Sequence, residues 1–156
     1  MFHNRLFYTS GGFAIAAIFI AGLGAPALAD LMIVGGDNKV AFDGPNIVFE
    51  APGGDVVSVV DIGTDPANPK ILANLPLMNS VFGPPTNLVI TPDESLALVT
   101  NAMNWVKADN GWKPEPDNRI NVIDLTQSPP VLIDTVTVDR QPSGMAINRA
   151  GNLALV

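Results

Sequence analysis

Residues 85–100 read PTNLVITPDESLALVT, and residues 142–156 read PSGMAINRAGNLALV. The second copy follows the first at a spacing of 57 residues, with a proline start, an alternating apolar run, a polar turn and a second apolar run. Two further segments recur in the same order: VVSVVDI at 56–62 with RINVIDL at 119–125, and KILANLPL at 70–77 with VLIDTVTV at 131–138. A repeat of this length built from short alternating runs points to β-structure stacked unit upon unit, because each small sheet must bury its apolar faces against a neighbour.

Working outward, candidate strands fall at 31–34, 46–50, 56–61, 70–76, 87–90, 96–100, 119–125 and 131–138. Between them lie Gly35-Gly36, Gly53-Gly54, Asp65-Pro66, Gly83-Pro84-Pro85, Pro92-Asp93-Glu94, Ser128-Pro129-Pro130 and Ser143-Gly144, all turn chemistry. Val57, Val59, Leu88, Ile90, Leu96, Leu98, Ile120 and Val122 are the expected core rows. Asp61 and Asp124 each close a strand run, a recurrence that favours a structural Asx turn over catalysis. Glycine and proline number 14 each in 156 residues, which disfavours long helices. The fold class expected is all-β.

The first 29 residues stand apart. MFHNRLFYTSGG carries Arg5 and the terminal amine, FAIAAIFIAGL at 13–23 is continuously apolar, and Ala27-Leu28-Ala29 precedes Asp30. These are the three parts of a secretory signal, so cleavage after Ala29 and a periplasmic or secreted product are expected. A retained anchor is the alternative; its apolar run is short against the roughly 20 residues that span a bilayer. No later stretch reaches spanning length, and no membrane span is expected once the signal is removed.

Charge and composition exclude several functions. The chain has 8 Lys plus Arg against 15 Asp plus Glu, a poor fit to nucleic acid or anionic lipid. With no cysteine, disulfides, zinc-thiolate sites and cysteine nucleophiles are ruled out, and the single histidine, His3, lies in the leader. No phosphate loop, nucleophile elbow, EF-hand or zinc-protease motif is present.

The segments PTNLVITPDESLALVTNA, NRINVIDL and DTVTVDRQPSGMAI resemble the YVTN family of β-propeller repeats over about residues 55–156. Leu98-Val99-Thr100-Asn101 stands in the signature position with Leu for Tyr, and Glu94 stands in the turn where the family usually has Gly. The resemblance implies a partial β-propeller of four-stranded antiparallel blades: a signal peptide at 1–29, then about two and a half blades at 30–156. That is too few blades to close a ring, so the sequence is read as the N-terminal part of a longer exported protein.

A polar insertion at 104–118, NWVKADNGWKPEPDN, has no counterpart between Glu50 and Val56 and is expected to emerge as a loop on one face of the disc. Trp105, Trp112, Asp109, Glu115 and Asp117 are its candidate binding residues for a protein or small-molecule partner. The competing expectation is that the tryptophans fold back onto the blade while the charges stay in water. No catalytic residue, metal or cofactor is expected. The function expected is an exported β-propeller scaffold that binds a protein or ligand in the cell envelope. The alternative is a periplasmic propeller enzyme, or a subunit of a quinoprotein-type dehydrogenase, whose catalytic residues lie outside this stretch.

Overall fold

A computed structural model describes residues 30–79 and 87–156. The leader at 1–29, and Gly83 and Pro85 with their expected turn and strand start, lie outside the described residues. All regular elements among the described residues are strands, and the pairings are antiparallel. β1 (Leu31–Gly36), β4 (Val56–Asp61) and β5 (Lys70–Leu75) form one sheet in the order β1-β4-β5. β2 (Val40–Asp43) and β3 (Asn46–Phe49) make a hairpin inserted between β1 and β4. β6 (Leu88–Ile90), β7 (Leu96–Ala108), β8 (Gly111–Asp124) and β9 (Val131–Thr137) form a four-stranded meander, followed by the short pair β10 (Ala146–Ile147) and β11 (Ala154–Leu155). No helix among the described residues is long and apolar enough to cross a membrane.

The sequence repeat is a structural repeat. Leu31 stands opposite Asp61 in the first sheet as Leu96 stands opposite Asp124 in the second. Each outer strand carries one extra residue: Leu72 where β5 slips past Val59 and Val60, and Ile133 where β9 slips past Val122 and Ile123. Such bulges interrupt the ladder at an edge and hinder pairing with another chain. The turn after β6 also recurs. The Thr91 N–H donates to Leu96 O and that of Glu94 to Thr91 O; 57 residues on, Asn148 and Gly151 make the same two bonds to Leu153 O and Asn148 O. Glu94 and Gly151 both take the left-handed conformation, φ 55° and 71°. Asp61 Oδ1 accepts from the Gly63 and Thr64 N–H groups, and Asp124 Oδ1 from Thr126 N–H, so both are Asx-type turns.

The two larger sheets meet face to face. Val57 and Val59 from one, with Ala97, Val99, Ile123 and Leu125 from the other, make the buried cluster, flanked by Leu31, Ile33, Leu75, Leu77, Leu88 and Ile90. Leu96, Leu98, Ile120 and Val122 are a correction: they lie on the opposite face of the second sheet, Ile120 buried there and the others half-buried, and Ala97, Val99, Ile123 and Leu125 take the core. Leu88 pairs with Val99 and Ile90 with Ala97, which puts those four side chains on one face. Because 96–99 is apolar at every position, alternation alone does not say which face turns inward.

Candidate functional site

The insertion at 104–118 is not an irregular loop. It extends β7 and β8 into one hairpin arm that closes on Asp109-Asn110, with Gly111 at φ 123°, a conformation L side chains rarely adopt. Pro114 and Pro116 sit within β8 where it pairs with β7 alone, because β9 covers only Arg119 to Asp124. On such an edge a missing N–H costs the ladder nothing. The arm also has a structural counterpart: the β2–β3 hairpin occupies the same place between β1 and β4 that the arm occupies between the main halves of β7 and β8.

The register sorts the five expected binding residues. Trp105 pairs with Pro114 and Lys107 with Trp112, so both tryptophans share one face of the arm. Trp105 is buried, 4% exposed, and packs edge-to-face on Phe49 of β3 with ring centroids 6.0 Å apart at 74°. It ties the two hairpins together. Trp112 is half-buried further out, Asp109 is exposed in the tip, and Glu115 lies exposed on the other face with Lys113 2.9 Å away.

Asp117 sits at a bulge, where β8 uses two residues between Pro116 and Arg119 against one on β7 between Asn101 and Met103. There its Oδ2 accepts from Asn101 Nδ2 at 2.5 Å and Arg119 Nε at 2.6 Å. Burial raises the Asp117 pKa, but the bonds from Arg119, Asn101 and the Asn118 N–H outweigh it and leave it lowered. The three carboxylates therefore point to different surroundings. Among the described residues no group of three or more His, Asp or Glu is placed to hold a metal ion.

Sequence reasoning missed the centre of this region. Lys39 is fully buried beneath Trp105, its ammonium 5.3 Å from the ring centroid. Nζ meets Asp37 Oδ1 at 2.6 Å and Asn79 O at 2.8 Å, and it bonds Asp55 Oδ2. Asp55 is held in turn by the Asn38 N–H on Oδ1 (3.3 Å) and the Asn79 N–H on Oδ2 (3.1 Å). Asn79 Nδ2 reaches the carbonyls of Gly36, Val56 and Leu77. The network pins the base of the β2–β3 hairpin to one end of the first sheet, where Gly36 pairs with Val56 and Val57 with Leu75. Beyond it the hairpin exposes Phe42, Ile47 and Val48 beside Asp43.

The geometry thus offers a rigid base and two side-by-side hairpins, one with an apolar tip and one with a half-exposed tryptophan. Pre-ordered aromatic and aliphatic groups of this kind lower the ordering cost of recognition. Searches against protein-family models, curated proteins and solved structures find no match to this chain.

Proposed function

We propose that the chain is an exported β-propeller scaffold of the YVTN type, whose paired hairpins present a binding face to a protein or small-molecule partner in the cell envelope. The observation that carries the reading is the coincidence of sequence and structural repeat: the same turn 57 residues apart, the same Asx turn and the same outer bulge, in two sheets that pack face to face. Stacked repeats of small antiparallel sheets are the building principle of a propeller. The sheet β1-β4-β5 corresponds strand for strand to β7, β8 and β9, and among the described residues no strand stands beside β1 as β6 stands beside β7. Its outer face presents exposed Met32, Val34 and Ile71 beside the polar Ser58–Asn74 pair, apolar groups that a neighbouring blade would cover.

The tripartite leader supports export, and the acidic charge supports a partner that is neither nucleic acid nor an anionic membrane. The test places a photo-crosslinking amino acid at Trp112 in the natural host, with Ile133 on the outer edge as the control position. One discrete envelope product from position 112, absent from position 133, is the expected result. Equal, diffuse labelling from both positions overturns the binding-face reading.

A further inference from the structure

We propose that Lys39 and Asp55 are a self-modifying pair, joined in the mature protein by an isopeptide bond that forms with Asp37 as the proton carrier. The inference does not depend on the propeller reading.

A nucleophile, an electrophile and a base are assembled here out of water. Lys39 is fully buried, and the Asp37 and Asp55 side chains are 4% and 5% exposed. The Lys39 amine bonds the Asp55 carboxylate directly, with Asp37 Oδ1 2.6 Å from the same nitrogen. Each carboxylate oxygen of Asp55 faces a backbone N–H, Asn38 at 3.3 Å and Asn79 at 3.1 Å. Donors so placed stabilise the charge that develops on oxygen when a carboxyl carbon is attacked. Trp105 covers the amine, and a cleft of about 270 Å3 lined by Gly53, Asp55, Pro76 and Met78 gives the departing oxygen a way out.

The chemistry balances without a co-reactant. Asp37 takes a proton from the Lys39 ammonium, and the free amine attacks Asp55 Cγ. The Nζ–Cγ bond forms, one Cγ–O bond breaks, and that oxygen leaves as water with two protons carried from nitrogen through Asp37. Nothing is oxidised or reduced, and no net proton is gained or lost. Condensation removes two full charges from an interior that penalises each. Asp37 keeps the Lys39 backbone N–H as a donor, at 3.1 Å. The product is a covalent clasp across the β2–β3 hairpin in a chain whose sequence has no cysteine to make one.

The test is the denatured mass of the full chain as the cell produces it, set against its measured N-terminus. The expected mass is lower than the residue sum by one water. Trypsin then fails to cut after Lys39, and residues 39 and 55 appear in one internally looped peptide ending at Lys70 and lighter than its residue sum by one water. Asp37→Asn, similar in size, is expected to keep the strand signal by circular dichroism while its mass equals its own residue sum, with no water lost. Asp55→Asn is expected to link with loss of ammonia instead of water, a signature no unlinked ion pair produces. A wild-type mass equal to the residue sum, with normal cleavage after Lys39, overturns the proposal whatever the variants do.

Discussion

Replacing Trp105 with alanine separates a structural tryptophan from a contact one. The ring is 4% exposed, so truncation removes buried surface and leaves a cavity between the two hairpins, at a cost of about 3–5 kcal/mol. Part of that cost is the edge-to-face contact with Phe49, worth about 0.5–1.5 kcal/mol beyond area. In the unlinked chain the Lys39 ammonium 5.3 Å from the ring adds about 0.5–2 kcal/mol, a contribution that the neutral amide of a Lys39–Asp55 link does not make. Against a total domain stability of about 5–15 kcal/mol this is a large fraction. Urea unfolding followed by far-ultraviolet circular dichroism, which does not rely on the deleted fluorophore, is the assay. Trp105→Ala should lower the midpoint strongly at unchanged slope. Trp112→Ala, half-buried on the outer arm, should cost less than about 1.5 kcal/mol. A Trp105/Phe49 double-mutant cycle should return a coupling of about 0.5–1.5 kcal/mol. Equal small losses for both tryptophans, with no coupling to Phe49, would refute the packing of one hairpin on the other.

Other outcomes follow from the same geometry. Ile123→Ala, in the buried cluster, should cost about 2–5 kcal/mol, whereas Ile133→Ala, 53% exposed at the outer bulge, should stay within about 0.5 kcal/mol; the two are compared by thermal unfolding. Gly111→Ala forces a side chain onto φ 123° and should destabilise the arm by about 1–3 kcal/mol, read as faster amide exchange at Trp112. Bonds from the Thr91 hydroxyl, then the Ser95 N–H and hydroxyl, lower the Asp93 pKa to about 2. Its contribution to stability is therefore complete above the ordinary carboxylate range and lost as pH falls toward 2. Asp93→Asn should flatten the acid limb of the stability profile, and an unchanged limb would remove Asp93 from the account. If the leader is cleaved as its pattern implies, the exported product begins at Asp30, which N-terminal peptide mapping reads directly.

The strands were legible where the side chains alternate and a turn residue follows. The expected 56–61 coincides with β4, and the Asp61 and Asp124 turns fall where their recurrence put them. The arm was not legible. Its polarity, two prolines and Asp-Asn-Gly tip read as a loop, whereas a two-stranded extension needs no buried face of its own, and an unpaired edge tolerates proline. Of the β2–β3 hairpin, the expected strand at 46–50 coincides with β3, whereas β2 escaped because it is only four residues long and carries little alternation. The Lys39 network was invisible for another reason. Asp37, Lys39, Asp55 and Asn79 lie apart in polar connecting segments, each of which reads as solvated, and only the closure of β1 against β4 collects them under Trp105. Of the five expected binding residues, the structure buries Trp105, ties Asp117 to Arg119, and leaves Trp112, Asp109 and Glu115 toward the surface.

The central proposal is that these sheets are successive blades of one propeller. An experimental structure of the natively exported protein tests it most directly. The account predicts sheets arranged around a common axis, β1 of the first sheet paired on its second edge by a strand equivalent to β6, and the hairpin arms gathered on one face of the disc. Sheets stacked as a sandwich without a common axis, or a β1 edge left open to solvent, would contradict it.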